Sequence, residues 1–266
     1  MTRPGRPGIA LAALVVALLA GAPSACGGDA ENGAGRRPKS GEVVVAAAAS
    51  LKQALTRYGE RFDGGVVRLS FAGSDELAAQ IRQGVTPDVF AAANVTLPDQ
   101  LFEEGLVERP VRFATNELVL AVPAAGGKVA SLADLGRDGV TLALGADGVP
   151  VGEYTRAVLD RLPATRSEAI LANVRSREPD VGGIVGKLTQ GAVDAGFVYR
   201  SDVAGARGKL RAIELPDALK PTVEYGVTVV RGAPNRAGGR AFVDGLLAGA
   251  GAQALRDHGF GPPAGT

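Results

Sequence analysis

From residue 42 onward the chain alternates short β-branched runs with longer stretches whose apolar residues recur at helical spacing. That alternation, more than any other feature, restricts the folds available. Residues 43–47 read as a strand and residues 51–62 as a helix. "VVRLSFA" reads as a strand, then "SDELAAQIRQG" as a helix stopped at Gly84. "PDVFAAA" is a short buried strand, followed by a helix over residues 98–104. "ELVLAVP" and "VTLALG" are strands, and residues 152–162 a helix. "GGIVGKLTQG" is a helix, "AGFVYRSD" and "EYGVTVV" are strands, and residues 240–258 hold closing helices. The order predicts an α/β fold with parallel sheets covered by helices on both faces.

The segment before residue 42 has a different character. Arg3 and Arg6 precede an apolar run over residues 9–20, shorter than the ~20 residues a membrane span needs. Residues 1–25 therefore read as an export signal. Cys26 is the only cysteine, so it has no disulfide partner within the chain. It follows small residues at the end of the apolar run and resembles a bacterial lipoprotein cleavage site. Pro23 departs from that pattern, standing where such sites usually carry an aliphatic residue. An ordinary signal peptide with an incidental cysteine is the other reading. Residues 26–41 are small, polar and Gly-rich, and read as a flexible tether.

In open α/β sheets, ligands bind where strands end and helices begin. Four such junctions stand out. "AAAAS" places small residues before Ser50, a good helix-capping type that leaves the backbone open to a ligand. "SFAGSDEL" offers Gly73 for a tight turn, Ser74 to cap or donate, and Asp75 and Glu76 at the positive helix end. "GADGVPVGEY" has Pro150 suited to a first helical position. "REPDVGGI" starts a helix at Pro179 and Asp180, with Val181 in its first turn. Each also has a structural reading: serine caps, plain proline starts, and for Tyr199 a half-buried core tyrosine.

The motifs "AAAASL", "SFAGSDELAAQI", "PDVFAAAN", "NELVLAVP", "GVPVGEYTRAVL", "VYRSD", "VEYGVTVV" and "LRDHGF", in this order and spacing, resemble the molybdate-binding proteins of bacterial ABC importers. These are two-lobed periplasmic-binding-protein-like folds of type II. The resemblance covers most of residues 42–260. It implies lobe 1 over residues 42–116 and 223–266 and lobe 2 over residues 117–222, with the ligand cleft between them. It also implies that molybdate or tungstate is held through its oxygens by Ser50, Ser74, Val151, Val181 and Tyr199, the two valines through their backbone. The family often carries serine where this chain has Gly73; the backbone amide remains. The expected partners are the oxyanion and an ABC permease in the membrane. The protein is expected to act as a monomer without cofactor, anchored at Cys26 outside the cell membrane.

The physics is consistent with that expectation. A buried dianion needs its lone pairs met by donors. Helix ends contribute about 0.3–2 kcal/mol each, so direct hydrogen bonds of about 1.5–3 kcal/mol each must carry most of the binding. The 29 basic and 28 acidic side chains nearly balance, which argues against a general nucleic-acid binder. No Gly-x-x-x-x-Gly-Lys-Ser/Thr motif and no Gly-x-Ser-x-Gly elbow is present, and His258 is the only histidine. An enzyme is therefore not expected. The competing readings are a binder of sulfate, phosphate, iron or an organic anion, a sensor or adhesin without transport, and a hydrolase. An amino-acid binder would want an arginine and an acid in the cleft; Asp75 and Glu153 are the nearest acids to the mapped positions.

Overall fold

The computed structural model describes residues 41–263. The export signal, Cys26 and residues 26–40 of the tether lie outside the described residues.

Two five-stranded sheets form the body. The first contains β1 (Glu42–Ala48), β2 (Val66–Ala72), β3 (Val89–Ala92), β4 (Val111–Asn116) and β10 (Val223–Val229). The second contains β5 (Leu118–Pro123), β6 (Leu142–Gly145), β7 (Val174–Glu178), β8 (Ala195–Tyr199) and β9 (Leu210–Ile213). Their strand orders are β2-β1-β3-β10-β4 and β7-β6-β8-β5-β9. Only Glu117 separates β4 from β5, so the chain passes from one sheet to the other in a single residue. It returns through residues 214–222 before β10.

The sheets are mixed, where the alternation predicted parallel ones. β1 runs parallel to β2 and β3, but β10 is antiparallel to β3 and β4. Likewise β6 is parallel to β7 and β8, while β5 is antiparallel to β8 and β9. The exceptions, β5 and β10, are the first strands the chain lays down after each passage between sheets. They enter from the opposite end to the strands of the βαβ units.

The helices are α1 (Lys52–Gly59), α2 (Ser74–Arg82), α3 (Thr96–Glu103), α4 (Pro150–Leu159), α5 (Ala164–Ala172), α6 (Val181–Thr189), α7 (Arg200–Gly205), α8 (Arg236–Leu247) and α9 (Ala250–Asp257). Period-two alternation splits the first sheet cleanly. Val45, Ala47, Val89 and Ala91 join one core cluster with residues of α1, α8 and α9. Ala46, Phe90 and Ala92 join another with Leu77, Ala78 and Ile81 of α2 and Leu101 of α3. Tyr58, Phe62 and Phe242 lock α1 to α8, the Tyr58 and Phe242 rings 4.6 Å apart and the Tyr58 hydroxyl donating to the Phe242 carbonyl at 2.9 Å. Fully buried Asp88 accepts from the Val44 amide at 2.8 Å and the Asn235 amide at 2.7 Å, tying the start of α8 to β1.

Several local expectations differ. The segment "RSD" belongs to α7 and not to the strand before it, because the Asp202 carboxylate accepts from the Tyr199 amide at 2.9 Å and turns the chain into a helix. α4 begins at Pro150, two residues early, since proline is pre-shaped for a first helical position. β4, α5, β7 and β9 carry no strong pattern; β7, "VRSRE", alternates but is charged and lies at a sheet edge.

Candidate ligand-binding site

One recess brings four helix starts together. It encloses about 20 Å³ and is lined by Ser50, Ser74, Val151, Val181 and Tyr199, with Ala49, Gly73, Ala93 and Asp180 beside them. The first two positions lie at the ends of β1 and β2 in the first sheet's half. The other three lie at the starts of α4 and α6 and the end of β8, in the second sheet's half. All five residues named from the sequence therefore meet in one place.

Neither serine caps a helix, so the alternative reading of Ser50 and Ser74 as plain caps does not hold. Ser50 sits inside a short 3-10 turn, Ala49–Leu51, that precedes α1. Its Oγ pairs instead with the Tyr225 hydroxyl at 2.9 Å. Ser74 is the first residue of α2, with Gly73 before it, and its Oγ accepts from the Ala93 amide at 3.0 Å. An Oγ that accepts from an amide keeps its own proton to offer elsewhere. Burial thus leaves both serines aimed at partners rather than at solvent.

Val151 and Val181 occupy the first turns of α4 and α6, where an amide has no carbonyl of its own helix to pair with. Asp180 caps α6, its carboxylate accepting from the Gly183 amide at 3.1 Å. Gly152 lets the start of α4 fold tightly onto β6, since a Cβ there would stand 2.1 Å from the Ala146 carbonyl.

Tyr199 is 1 % exposed, and its hydroxyl has no hydrogen-bond partner. Burial pushes its phenol well above the ordinary range, so it remains a proton donor. An orphaned buried donor costs about 1–3 kcal/mol, and it faces a recess that an acceptor would fill. The lining contains no lysine or arginine. Asp75 and Glu153 do not line it. Glu153 lies by Asn94, its carboxyl raised chiefly by burial and also by the Asp75 charge. His258 ends α9, its Nδ1 2.7 Å from the Ala254 carbonyl.

The halves touch at Gly73. A Cβ there would stand 2.5 Å from the Pro179 carbonyl, so the absence of a side chain permits this closeness. The φ of −60° is ordinary, so Gly73 serves close approach and not the tight turn expected of it.

Sequence reasoning missed Tyr225 and Asn116. Tyr225 reads as an ordinary inward strand residue, and its partner Ser50 is 175 residues away. No local pattern marks such a pair.

From both halves the recess offers neutral donors, hydroxyl and amide, with Asp180 the one acidic residue in its lining and its carboxylate engaged in capping α6. That suits a small anion rich in acceptors. Comparison with known proteins points the same way. Residues 43–261 match the family described as bacterial extracellular solute-binding protein. The chain is 37 % identical, over 94 % of its length and 97 % of the relative's, to the molybdate-binding protein ModA of Mycobacterium tuberculosis. It is 29 % identical to the protein of the same name from Escherichia coli, covering 83 % of this chain and 89 % of that one. Among solved structures, the periplasmic molybdate-binding protein of Azotobacter vinelandii superposes with a TM-score of 0.75 at 20 % identity, covering 83 % of this chain and 99 % of that one. At that identity the likeness concerns the fold.

Proposed function

The chain belongs to the bacterial extracellular solute-binding proteins, and from that premise we propose that it captures molybdate, and tungstate with it, for delivery to an ABC permease. The observation that carries this reading is the orphaned, buried hydroxyl of Tyr199, a residue that lines the recess together with Ser50, Ser74 and the first turns of α4 and α6. The ligand is cargo, held through its oxygens by Ser50, Ser74, Tyr199 and the amides of Val151 and Val181. A ligand touched from both halves favours the state in which they are close, by the difference in its affinity for the two states. The loaded monomer is then what the permease meets. No residue of the recess is assigned a catalytic role.

Neutral donors stabilise a dianion without neutralising any anion that arrives, so cavity size and donor geometry select. Molybdate and tungstate are nearly alike in size and larger than sulfate, which would sit loosely. Calorimetric titration of residues 27–266 with molybdate, tungstate, sulfate and phosphate tests the reading. One-to-one binding of the first two, with sulfate weak or silent, is expected. Absence of binding for both would overturn the ligand assignment.

Cys26 is proposed as the lipid attachment that holds the exported protein at the outer face of the cell membrane. Buried acyl chains contribute about 0.8 kcal/mol per CH₂, so a multi-chain anchor is firm. Cys26→Ser is expected to move the protein from the membrane fraction to the soluble one; retention in the membrane would sink the assignment.

A further inference from the structure

Beside the recess, the two halves meet again where α1 approaches α7. A cavity of about 160 Å³ lies there, lined by Ser50, Lys52 and Gln53 from the first half and by Gly182, Ser201 and Gly205 from the second. From one wall to the other, the Gln53 Nε2 donates to the Gly205 carbonyl at 3.0 Å. Gln53 does not line the recess itself. It stands three residues beyond Ser50, in the first turn of α1, while Gly205 ends α7, the helix into which Tyr199 leads. No left-handed backbone calls for glycine at position 205. A Cβ there would collide with the Gln53 side-chain amide, and the three atoms nearest to it all belong to that group. The glycine therefore serves the approach of Gln53, as Gly73 serves that of Pro179.

Another bond between the halves is of a different kind. The Asn116 Nδ2 donates to the Ser201 Oγ at 2.8 Å, next to Glu117, the one residue between β4 and β5. That bond belongs to the passage about which the halves turn. Gln53, by contrast, is carried on the same short segment as Ser50. A movement that draws Ser50 away from Tyr199 draws Gln53 away from Gly205. We propose that the Gln53–Gly205 bond is a latch made only when the halves are together, so that Gln53 is a positioning residue that raises ligand affinity without touching the ligand. The inference rests on the oxyanion reading above and adds to it a source of affinity outside the recess. A bond made in one state alone shifts the balance between states by its own worth, and the ligand draws on that same balance. The latch is blind to what the recess holds. It multiplies the affinity of every ligand that closes the halves by one common factor.

Calorimetric titrations with molybdate and with tungstate, on the native protein, Gln53→Ala, Gly205→Ala and the double variant, test the latch. Each single variant is expected to lose about threefold to tenfold in affinity, the worth of one hydrogen bond, and by the same factor for both anions. The double variant is expected to lose no more than either single one, because the added methyl and the lost amide remove the same bond. Melting of the unliganded protein is expected to stay cooperative, since alanine suits a helix at least as well as glycine. Gln53 is exposed, so Gln53→Ala keeps the test open should Gly205→Ala fail to melt cooperatively. Unchanged affinity in Gln53→Ala, losses that add in the double variant, or a loss confined to one anion would overturn the proposal. Failure of the native protein to bind either anion would instead remove the functional reading itself.

Discussion

Tyr199 and Ser50 are both buried hydroxyls at the recess, yet they depend on different things. The Tyr199 hydroxyl has no protein partner, so its contribution appears only when an acceptor arrives. Tyr199→Phe is expected to weaken molybdate binding by about 1–3 kcal/mol, since an oxygen of the ligand is left unpaired. Unchanged affinity in calorimetry would remove Tyr199 from the site. Ser50 is legible in the sequence as a hydroxyl at a strand–helix junction, and so is Ser74. What each hydroxyl bonds is not legible, because Tyr225 and the Ala93 amide reach them through the fold. Capping was the alternative that local chemistry offered. Tertiary partners displaced it in both cases.

Among the elements, α7 shows how one carboxyl shapes the site. Asp202 takes the Tyr199 amide at the end of β8 and so sets where the strand stops. Burial is the main cause of its raised pKa, about 7, and the charge of Asp180 adds to it, while the Tyr199 amide pulls the other way. The folded state therefore prefers the protonated form. Between about 4, the ordinary aspartate range, and about 7, stability falls as pH rises. Asp202→Asn keeps an acceptor for the Tyr199 amide and removes the titration. At pH 8 the variant is expected to be the more stable, by about 4 kcal/mol at the upper limit, with the gain gone near pH 4. Parallel melting curves across that range would contradict it. Glu108 shows the opposite sign. Hydrogen bonds from Arg240 and Arg236 of α8 hold its carboxyl at about 2, against desolvation. Its contribution is present above about 4.5 and is lost as pH falls toward about 2. Glu108→Gln is expected to cost about 1–2 kcal/mol at pH 7 and nothing near pH 2, allowing for solvent screening of a partly exposed pair. Long apolar-patterned elements such as β1, α2 and α4 could be read from the sequence. The edge strand β7 could not, because its charged alternation carries little burial signal.

For the whole molecule, the alternation implied parallel sheets covered by helices but not the reversal of β5 and β10, which depends on how the chain re-enters each sheet. The close approach of the halves at Gly73 was equally hidden, since nothing local distinguishes a glycine needed for a turn from one needed for contact. Gly73→Ala places a Cβ where the Pro179 carbonyl stands, so the halves must part slightly. Molybdate affinity is expected to fall about tenfold or more, the equivalent of about 1.4 kcal/mol, while the melting temperature of the unliganded protein stays nearly unchanged. Full affinity with unaltered melting would show that the approach is dispensable.

The interleaved order of the sheets also bears on how the protein emerges from an export channel. Synthesis delivers β1 to β4 first, then the entire second sheet, and only then β10. Yet β10 lies between β3 and β4. Until about residue 229 has emerged, β4 has no strand to pair with in its own sheet, while every strand of the second is already available. The half made last in sequence order is therefore the one begun first. β1, β2 and β3 can pair at once, but a translocating chain must leave β4 and the free edge of β3 uncommitted, or guarded by a chaperone, until the latecomer arrives.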